Sequence, residues 1–230
     1  MILRKSSKEV NPTVHLKIDD RAIDRIGDDC PEKYFKFVGI RIDEHLTWQA
    51  QINHVRAKLA SANFALAKIK NLLPLPARLT IYNSLFKSHL EYGLICWGGV
   101  KKSLLKPLFQ IQKKCVRNVA AAQYRAHSNP IFKELSILKM HDLYEWQIAS
   151  LGFKIIKKQC PQSSDSLFER LKGNRTNAFL ISIPLSKKLE TFPSCKVPKI
   201  WNSFITGLKS SCDFDMLKTN FKALKFSEYC

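Results

Sequence analysis

The stretch that decides the fold covers residues 35–48 and reads Phe-Lys-Phe-Val-Gly-Ile-Arg-Ile-Asp-Glu-His-Leu-Thr-Trp. Its first residues alternate apolar and basic side chains, which is the period of a β-strand, and an acidic turn follows at Asp43. From Thr47 onward the apolar residues recur at steps of three and four, as on one face of an amphipathic helix, and Thr47 is a residue type that caps helix N-termini. The stretch therefore predicts one strand that leads directly into a helix.

Upstream of this strand, the chain predicts a small hairpin. Residues 14–18 alternate apolar and polar side chains, Asp19-Asp20 provides a turn, and residues 22–26 lead back. We expect residues 35–42 to form a third strand beside this hairpin. Gly39 would then allow the third strand to pack closely against its neighbour.

Downstream, helical spacing predicts five helices up to residue 160. The first begins at Thr47 and stops at Leu73-Pro74, and the others follow Pro76, cover residues 103–121 and 131–135, and end near Pro161. Residues 161–230 are expected to be looser, with a short strand at 179–183 and a terminal helix at 214–226. The predicted fold is mainly α, with a small N-terminal β-hairpin or three-strand element packed on a bundle of about five helices. Its predicted boundaries are 1–46, 47–160 and 161–230.

The charge balance favours a polyanionic partner. The chain has 38 Lys and Arg against 19 Asp and Glu, a formal charge of +19 that is spread along the sequence. The helix at 103–121 combines an apolar stripe with several cations, which gives it an anchored side and a charged side suited to a phosphate backbone. The candidate nucleic-acid-binding residues are Lys101, Lys102, Lys106, Lys113, Lys114 and Arg117 on this segment, and Arg56, Lys68 and Lys70 on the first helix.

Several other classes of site and protein are disfavoured. The seven cysteines form no Cys-x-x-Cys pair, and no apolar signal segment opens the chain, so we expect reduced thiols in the nucleus or cytoplasm and not secretion. No run of apolar residues is long enough to span a membrane. We find no spacing typical of a metal site, no glycine-rich phosphate loop and no nucleophile motif, and therefore predict no cofactor.

Several motifs carry a resemblance to a known family. The segment Phe37–Trp48, the cluster Tyr92–Gly98, the string Phe132–Leu138 and the string Pro198–Ser203 occur in the same order in the region beyond the polymerase palm of non-LTR (LINE-type, jockey-like) retrotransposon reverse transcriptases. The resemblance covers residues 14–204. Its structural motif residues are Phe37, Gly39, Asp43, Trp48, Tyr92, Gly93, Trp97, Gly98 and Trp201.

The resemblance implies the end of a palm, a thumb and a region after it. A thumb would grip an RNA or RNA/DNA hybrid through its backbone. The family is an RNA-directed DNA polymerase, but its paired catalytic aspartates have no counterpart in a matching context. Gly27-Asp28-Asp29 is followed at once by Cys30-Pro31, and we interpret both it and Asp19-Asp20 as loop acids. The expectation is a truncated, catalytically inert reverse transcriptase-like protein with residual nucleic-acid binding.

An alternative interpretation explains the same charge differently. The chain would be a helical protein-interaction module with no nucleic-acid role, whose charge serves only solubility. Its oligomeric state is left open by the sequence.

Overall fold

The structure is a computed structural model, and it describes residues 17–19, 21–22, 33–161, 168, 179, 192–203 and 213–229. The chain divides into two compact units, Met1–His54 and Val55–Cys230, with the boundary inside the first long helix. The architecture is mainly helical with antiparallel β-hairpin structure near the N-terminus, which confirms the predicted fold class. The predicted division at residue 160 stays a prediction.

Each described sheet of the first unit contains two antiparallel strands. β1 (Lys17–Ile18) pairs with β2 (Arg21–Ala22), and β3 (Tyr34–Phe37) pairs with β4 (Ile40–Asp43). The prediction of one strand over residues 35–42 that joins the upstream hairpin is therefore wrong. These residues form a hairpin of their own, with Phe37 opposite Ile40.

The turn of this second hairpin explains the difference. Val38 and Gly39 both have positive φ, 45° and 79°, which is the combination that closes a tight two-residue hairpin turn. Gly39 thus serves the turn and not close packing of a strand. The turn leaves the adjoining apolar side chains exposed, 58% for Phe37 and 70% for Val38, so Phe37 is not a core residue.

An aspartate fixes the backbone just before the first helix. The Asp43 carboxylate accepts hydrogen bonds from the backbone N–H groups of Thr47 and Trp48, each at 2.8 Å. The hydroxyl oxygen of Thr47 accepts from the backbone N–H of Gln49, where the helix starts. Trp48 is buried. Since early helical N–H groups lack partners within the helix, these side-chain acceptors stabilise its start.

The helices follow in chain order, and up to residue 160 their bounds are close to those predicted, except that the short helix Leu94–Trp97 was not predicted. They are α1 (Gln49–Ile69), α2 (Leu75–Ile81), a π-helical segment (Tyr82–Lys87), α3 (Ser88–Glu91), α4 (Leu94–Trp97), α5 (Lys102–Val119), α6 (Ser128–Glu134), α7 (Met140–Ile156), α8 (Pro193–Ser203) and α9 (Phe214–Ser227). α2, the π-helical segment and α3 are contiguous. The helix α8 was not anticipated, and the predicted strand at 179–183 falls mostly outside the described residues.

A buried amide joins three parts of the helical unit. The Gln112 side chain on α5 is 1% exposed, and it donates to the carbonyl of Leu138 at 3.0 Å and to the Tyr82 hydroxyl at 3.3 Å. Its oxygen accepts from the backbone N–H of Met140 at 2.8 Å. Burial raises the pKa of the Tyr82 phenol, so its hydroxyl stays protonated. One side chain therefore fixes the α6–α7 connection against α5 and the π-helical segment.

The aromatic and glycine cluster after α3 forms a tight joint within this unit. Trp97 is fully buried, and its indole N–H donates to the carbonyl of Tyr92. Gly93 has a φ of 61°, which suits glycine. A Cβ at Gly98 would lie 2.5 Å from the Tyr144 ring on α7, so only glycine allows this approach. The Tyr92 side chain is half exposed, so its ring does not fill this joint.

The described C-terminal helices pack on α7. A Cβ at Gly152 would lie 2.7 Å from the indole of Trp201, so the glycine makes room for α8, and Trp201 is buried. The Lys225 ammonium of α9 lies 2.8 Å from the Glu145 carboxylate, and the Tyr229 hydroxyl donates to Asp142. These residues are thus part of the same compact unit as α7.

The Gln112 network gives a test of this core. Gln112→Ala leaves the Leu138 carbonyl and the Met140 N–H buried without their partner. Since an unsatisfied buried polar group costs about 1–3 kcal/mol, we expect a loss of about 3 kcal/mol in the free energy of unfolding, measured by urea denaturation. Gln110→Ala, at an exposed position of the same helix, is the matched control and should change stability by less than about 0.5 kcal/mol. Equal stabilities of the two variants would contradict the assigned role of Gln112.

Candidate nucleic-acid interface

The site is built on the amphipathic helix α5. One side is buried through Leu105, Leu108, Cys115 and other residues of the core. On the opposite side Lys102, Lys106, Lys113 and Arg117 follow one another at steps of four, seven and four residues, which aligns them along one face. The line extends for about 22 Å at the helical rise of about 1.5 Å per residue. The sequence of α5 contains no Asp or Glu, so no acid of this helix neutralises the line.

α1 lies beside α5 and contributes a second basic edge. Asn63 accepts a 3.0 Å hydrogen bond from the side-chain amide of Asn118 on α5, which connects the two helices. One side of α1 carries Asn63 and Ala67, and Lys70 follows at the same helical spacing just after the helix ends. Lys70 is held in place because its carbonyl accepts a 2.7 Å hydrogen bond from the buried Arg78. α1 also contains no Asp or Glu.

Between these edges lies a cleft of about 230 Å³, which we call the α1–α5 cleft. Its wall contains cationic, amide and aromatic side chains, namely Lys70, Lys114, Arg117, Asn63, Asn118 and Tyr124. Cations fit the charge of a phosphate backbone, and amides donate hydrogen bonds to phosphate and sugar oxygens. The arrangement is chemically suited to binding a polyanion.

Arg117 also shapes the loop that borders the cleft. Its Nε donates to the carbonyl of Ala126 at 2.7 Å, and one terminal nitrogen donates to the carbonyl of Lys113 at 3.4 Å. The guanidinium therefore holds the loop after α5 against the helix and brings positive charge to the cleft. Tyr124 on this loop is 76% exposed. An exposed aromatic ring beside cations is the usual platform on which an unpaired base stacks.

The structure brings together only part of the predicted set. Lys70, Lys114 and Arg117 line one cleft. Lys101, Lys102 and Lys106 are exposed at and near the start of α5. The Lys113 ammonium lies 4.6 Å from the centre of the Phe109 ring, a cation–π contact that leaves it at the surface.

The remaining predicted cations lie on α1. Arg56 is exposed, two helical turns before Asn63 on the same side of the helix. Lys68 lies over the exposed ring of Phe64 at 5.4 Å and points to a different side of α1 from the cleft. Among the predicted cations on α1, Lys68 is therefore the one whose position fits a role in the cleft least.

Sequence reasoning missed Tyr124, Asn63 and Asn118. A signal for Tyr124 was present, because it stands beside Arg125 in a polar segment without acids. The two asparagines carried no such signal, since their pairing depends on how α1 and α5 cross.

No group of His, Cys, Asp or Glu side chains that could hold a metal ion occurs in the part of the chain that the structure describes. Asp28 and Asp29 lie outside that part. Cys96, Cys115, Cys160 and Cys195 are free thiols, and burial raises the pKa of the Cys115 thiol. None of the helices within the described ranges has the length and apolarity needed to cross a membrane.

Comparison with known proteins shows a partial similarity to one polymerase. Over 112 residues the chain is 30% identical to the RNA-directed DNA polymerase from the mobile element jockey of Drosophila melanogaster. The match covers 47% of this chain and 12% of that protein, so the chain corresponds to a small part of its relative's length. No family model matches the chain. No solved structure matches it either. The partial similarity supports a distant relationship to the reverse transcriptases of non-LTR retrotransposons.

Proposed function

We propose that this protein is a reverse transcriptase-like nucleic-acid-binding protein that holds RNA or an RNA/DNA hybrid by its backbone in the α1–α5 cleft. The observation that carries the proposal is the convergence of Lys70, Lys114 and Arg117 on one cleft between two helices that contain no acid. The distant relative is an RNA-directed DNA polymerase, and such an enzyme acts on an RNA template and a DNA product.

The side chains of the cleft are suited to contacting the backbone of a nucleic acid and not to distinguishing its bases. Ammonium groups contact phosphates without regard to the base, so binding should be largely independent of sequence. The line of cations on α5 extends the contact beyond the cleft, over a length that a duplex covers with several successive phosphates. By itself the chain is proposed to bind without polymerising, because neither Asp19-Asp20 nor Gly27-Asp28-Asp29 has the sequence context of the family's paired catalytic aspartates.

The first prediction concerns the two lysines of the cleft. Lys70→Ala/Lys114→Ala should weaken binding of an RNA/DNA hybrid at low salt. The slope of log K against log salt concentration should become shallower by about one per lysine, since each phosphate contact releases counterions. Fluorescence anisotropy of a labelled hybrid over a salt series measures both quantities.

The control for this experiment removes the same charge elsewhere. Lys58 and Lys199 are exposed on other helix faces, and Lys58→Ala/Lys199→Ala lowers the net charge by the same two units. We expect the control to retain the wild-type salt slope. If both double variants change the slope equally, the cleft is not the contact surface and only the overall charge matters.

The second prediction concerns Tyr124. Tyr124→Ala should weaken binding of single-stranded RNA by about 1–3 kcal/mol, the usual value of one base stacked on an aromatic ring, and should affect a blunt duplex much less. Tyr124→Phe keeps the ring and should bind like the wild type. A loss of duplex and single-strand affinity by equal amounts would show that Tyr124 acts through the loop and not by stacking.

One observation favours the alternative of a protein-interaction module. Leu72, Leu73 and Leu75 at the α1–α2 connection are exposed, with 77% for Leu72. Exposed apolar clusters mark protein contacts. The salt series separates the two functions, because the alternative predicts that the Lys70→Ala/Lys114→Ala variant binds the hybrid like the control variant.

A further inference from the structure

A second cavity lies on the same helical unit and shares no residue with the α1–α5 cleft. It measures about 330 Å³ and opens between the π-helical segment, the α6–α7 connection, α7 and α9. Cavities of this size accommodate small organic ligands. We call it the lysine-rimmed cavity, because Lys87, Lys218 and Lys222 lie at its wall.

The charges of the cavity are unbalanced. Among its lining residues Glu91 is the single acid, 3.6 Å from the Lys87 ammonium. Lys218 and Lys222 form no ion pair within the part of the chain that the structure describes. Burial lowers the pKa of Lys222, and the charges of Lys218 and Lys87 lower it further, so positive charge is concentrated around the Lys222 ammonium. A bound anion would relieve this repulsion.

A large part of the remaining wall is apolar and aromatic. Leu79, Leu138, Leu143 and Trp146 line it, and Trp146 is held by ring contacts at 5.5 Å with Phe214 and with Phe221. A fixed ring and leucine side chains favour a flat organic group. A simple inorganic anion would leave this surface unused.

Two polar groups stand beside the apolar wall. Asn83 offers both a donor and an acceptor, and Glu91 offers acceptors. These groups match the ring nitrogens and exocyclic amino group of a nucleobase. Three lining residues, Tyr82, Asn83 and Lys87, belong to the π-helical segment. π-Helices are rare, and those that occur are often found at functional sites.

We propose that the lysine-rimmed cavity binds a nucleoside monophosphate unit, with the base against Trp146 and the leucines and the phosphate between Lys218 and Lys222. The same chemistry is presented by a free nucleotide and by the 5′-phosphorylated end of a nucleic-acid strand. The cavity and the α1–α5 cleft are separate sites, so either stands without the other.

The test is isothermal titration calorimetry of the full chain with adenosine 5′-monophosphate, adenosine and inorganic phosphate. We expect saturable binding of the nucleotide and weaker binding of both fragments. Lys218→Gln/Lys222→Gln should reduce nucleotide affinity about tenfold or more, as expected for loss of hydrogen bonds to a charged group. Lys218→Arg/Lys222→Arg keeps the charge and should bind within about threefold of the wild type, and a urea unfolding curve of the Gln variant that matches the wild type excludes misfolding as the cause of the loss.

A control variant makes the outcome specific. Lys58→Gln/Lys199→Gln removes equal charge elsewhere on the chain and should bind the nucleotide like the wild type. Oligonucleotides with a 5′-phosphate or a 5′-hydroxyl distinguish a strand end from a free nucleotide. A preference for the phosphorylated end assigns the strand end, and equal binding of the two oligonucleotides together with saturable nucleotide binding assigns the free nucleotide.

Three results would overturn the proposal. The first is absence of saturable nucleotide binding. The second is inorganic phosphate binding as tightly as the nucleotide, which would show that the apolar wall contributes nothing. The third is tighter binding of a Glu-Leu-Glu peptide, which would assign the cavity to an acidic protein partner. None of these results bears on the α1–α5 cleft, whose test is the salt series.

Discussion

The helical unit depends on the satisfaction of one buried side-chain amide. Gln112 lies in the middle of the apolar side of α5, where an unpaired polar group would be costly, and its partners come from the π-helical segment and the α6–α7 connection. An apolar core alone tolerates small shifts of one helix along another, whereas these directional bonds do not. Because α5 is fixed by the amide, the cations on its opposite side are fixed as well.

The electrostatics of the unit follow from which residues are absent in α1 and α5. An acid one turn away from a surface lysine pairs with it and offsets its charge. In α1 and α5 no acid is available within the helix, so the field of Lys70, Lys114 and Arg117 adds across the space between them. Asn63 and Asn118 connect the helices by a neutral hydrogen bond, so this contact does not use any of the cationic side chains.

The helices were predictable from sequence where their apolar period was regular. The buried and exposed sides of α5 follow the spacing of its leucines and lysines directly. The turn at Val38-Gly39 was not predicted, because a β-branched residue with positive φ runs against its local preference and is read as strand. α8 was missed because Pro198 within it suggests a break, and the cleft was only half predicted because Tyr124 and the two asparagines meet the lysines through tertiary packing.

The π-helical segment has a consequence for how the length of this chain can vary. A π turn contains about one residue more than an α turn, so the contiguous helix from Leu75 to Glu91 accommodates an additional residue without breaking. Deletion of one residue from the π-helical segment would return the helix to a regular α form and leave Leu90 on nearly the same side relative to Leu79, because the wider π turns absorb the added residue. A one-residue deletion is therefore expected to be tolerated within the π-helical segment, whereas the same deletion in the α-helical part before it would rotate the buried side chains that follow by about 100°.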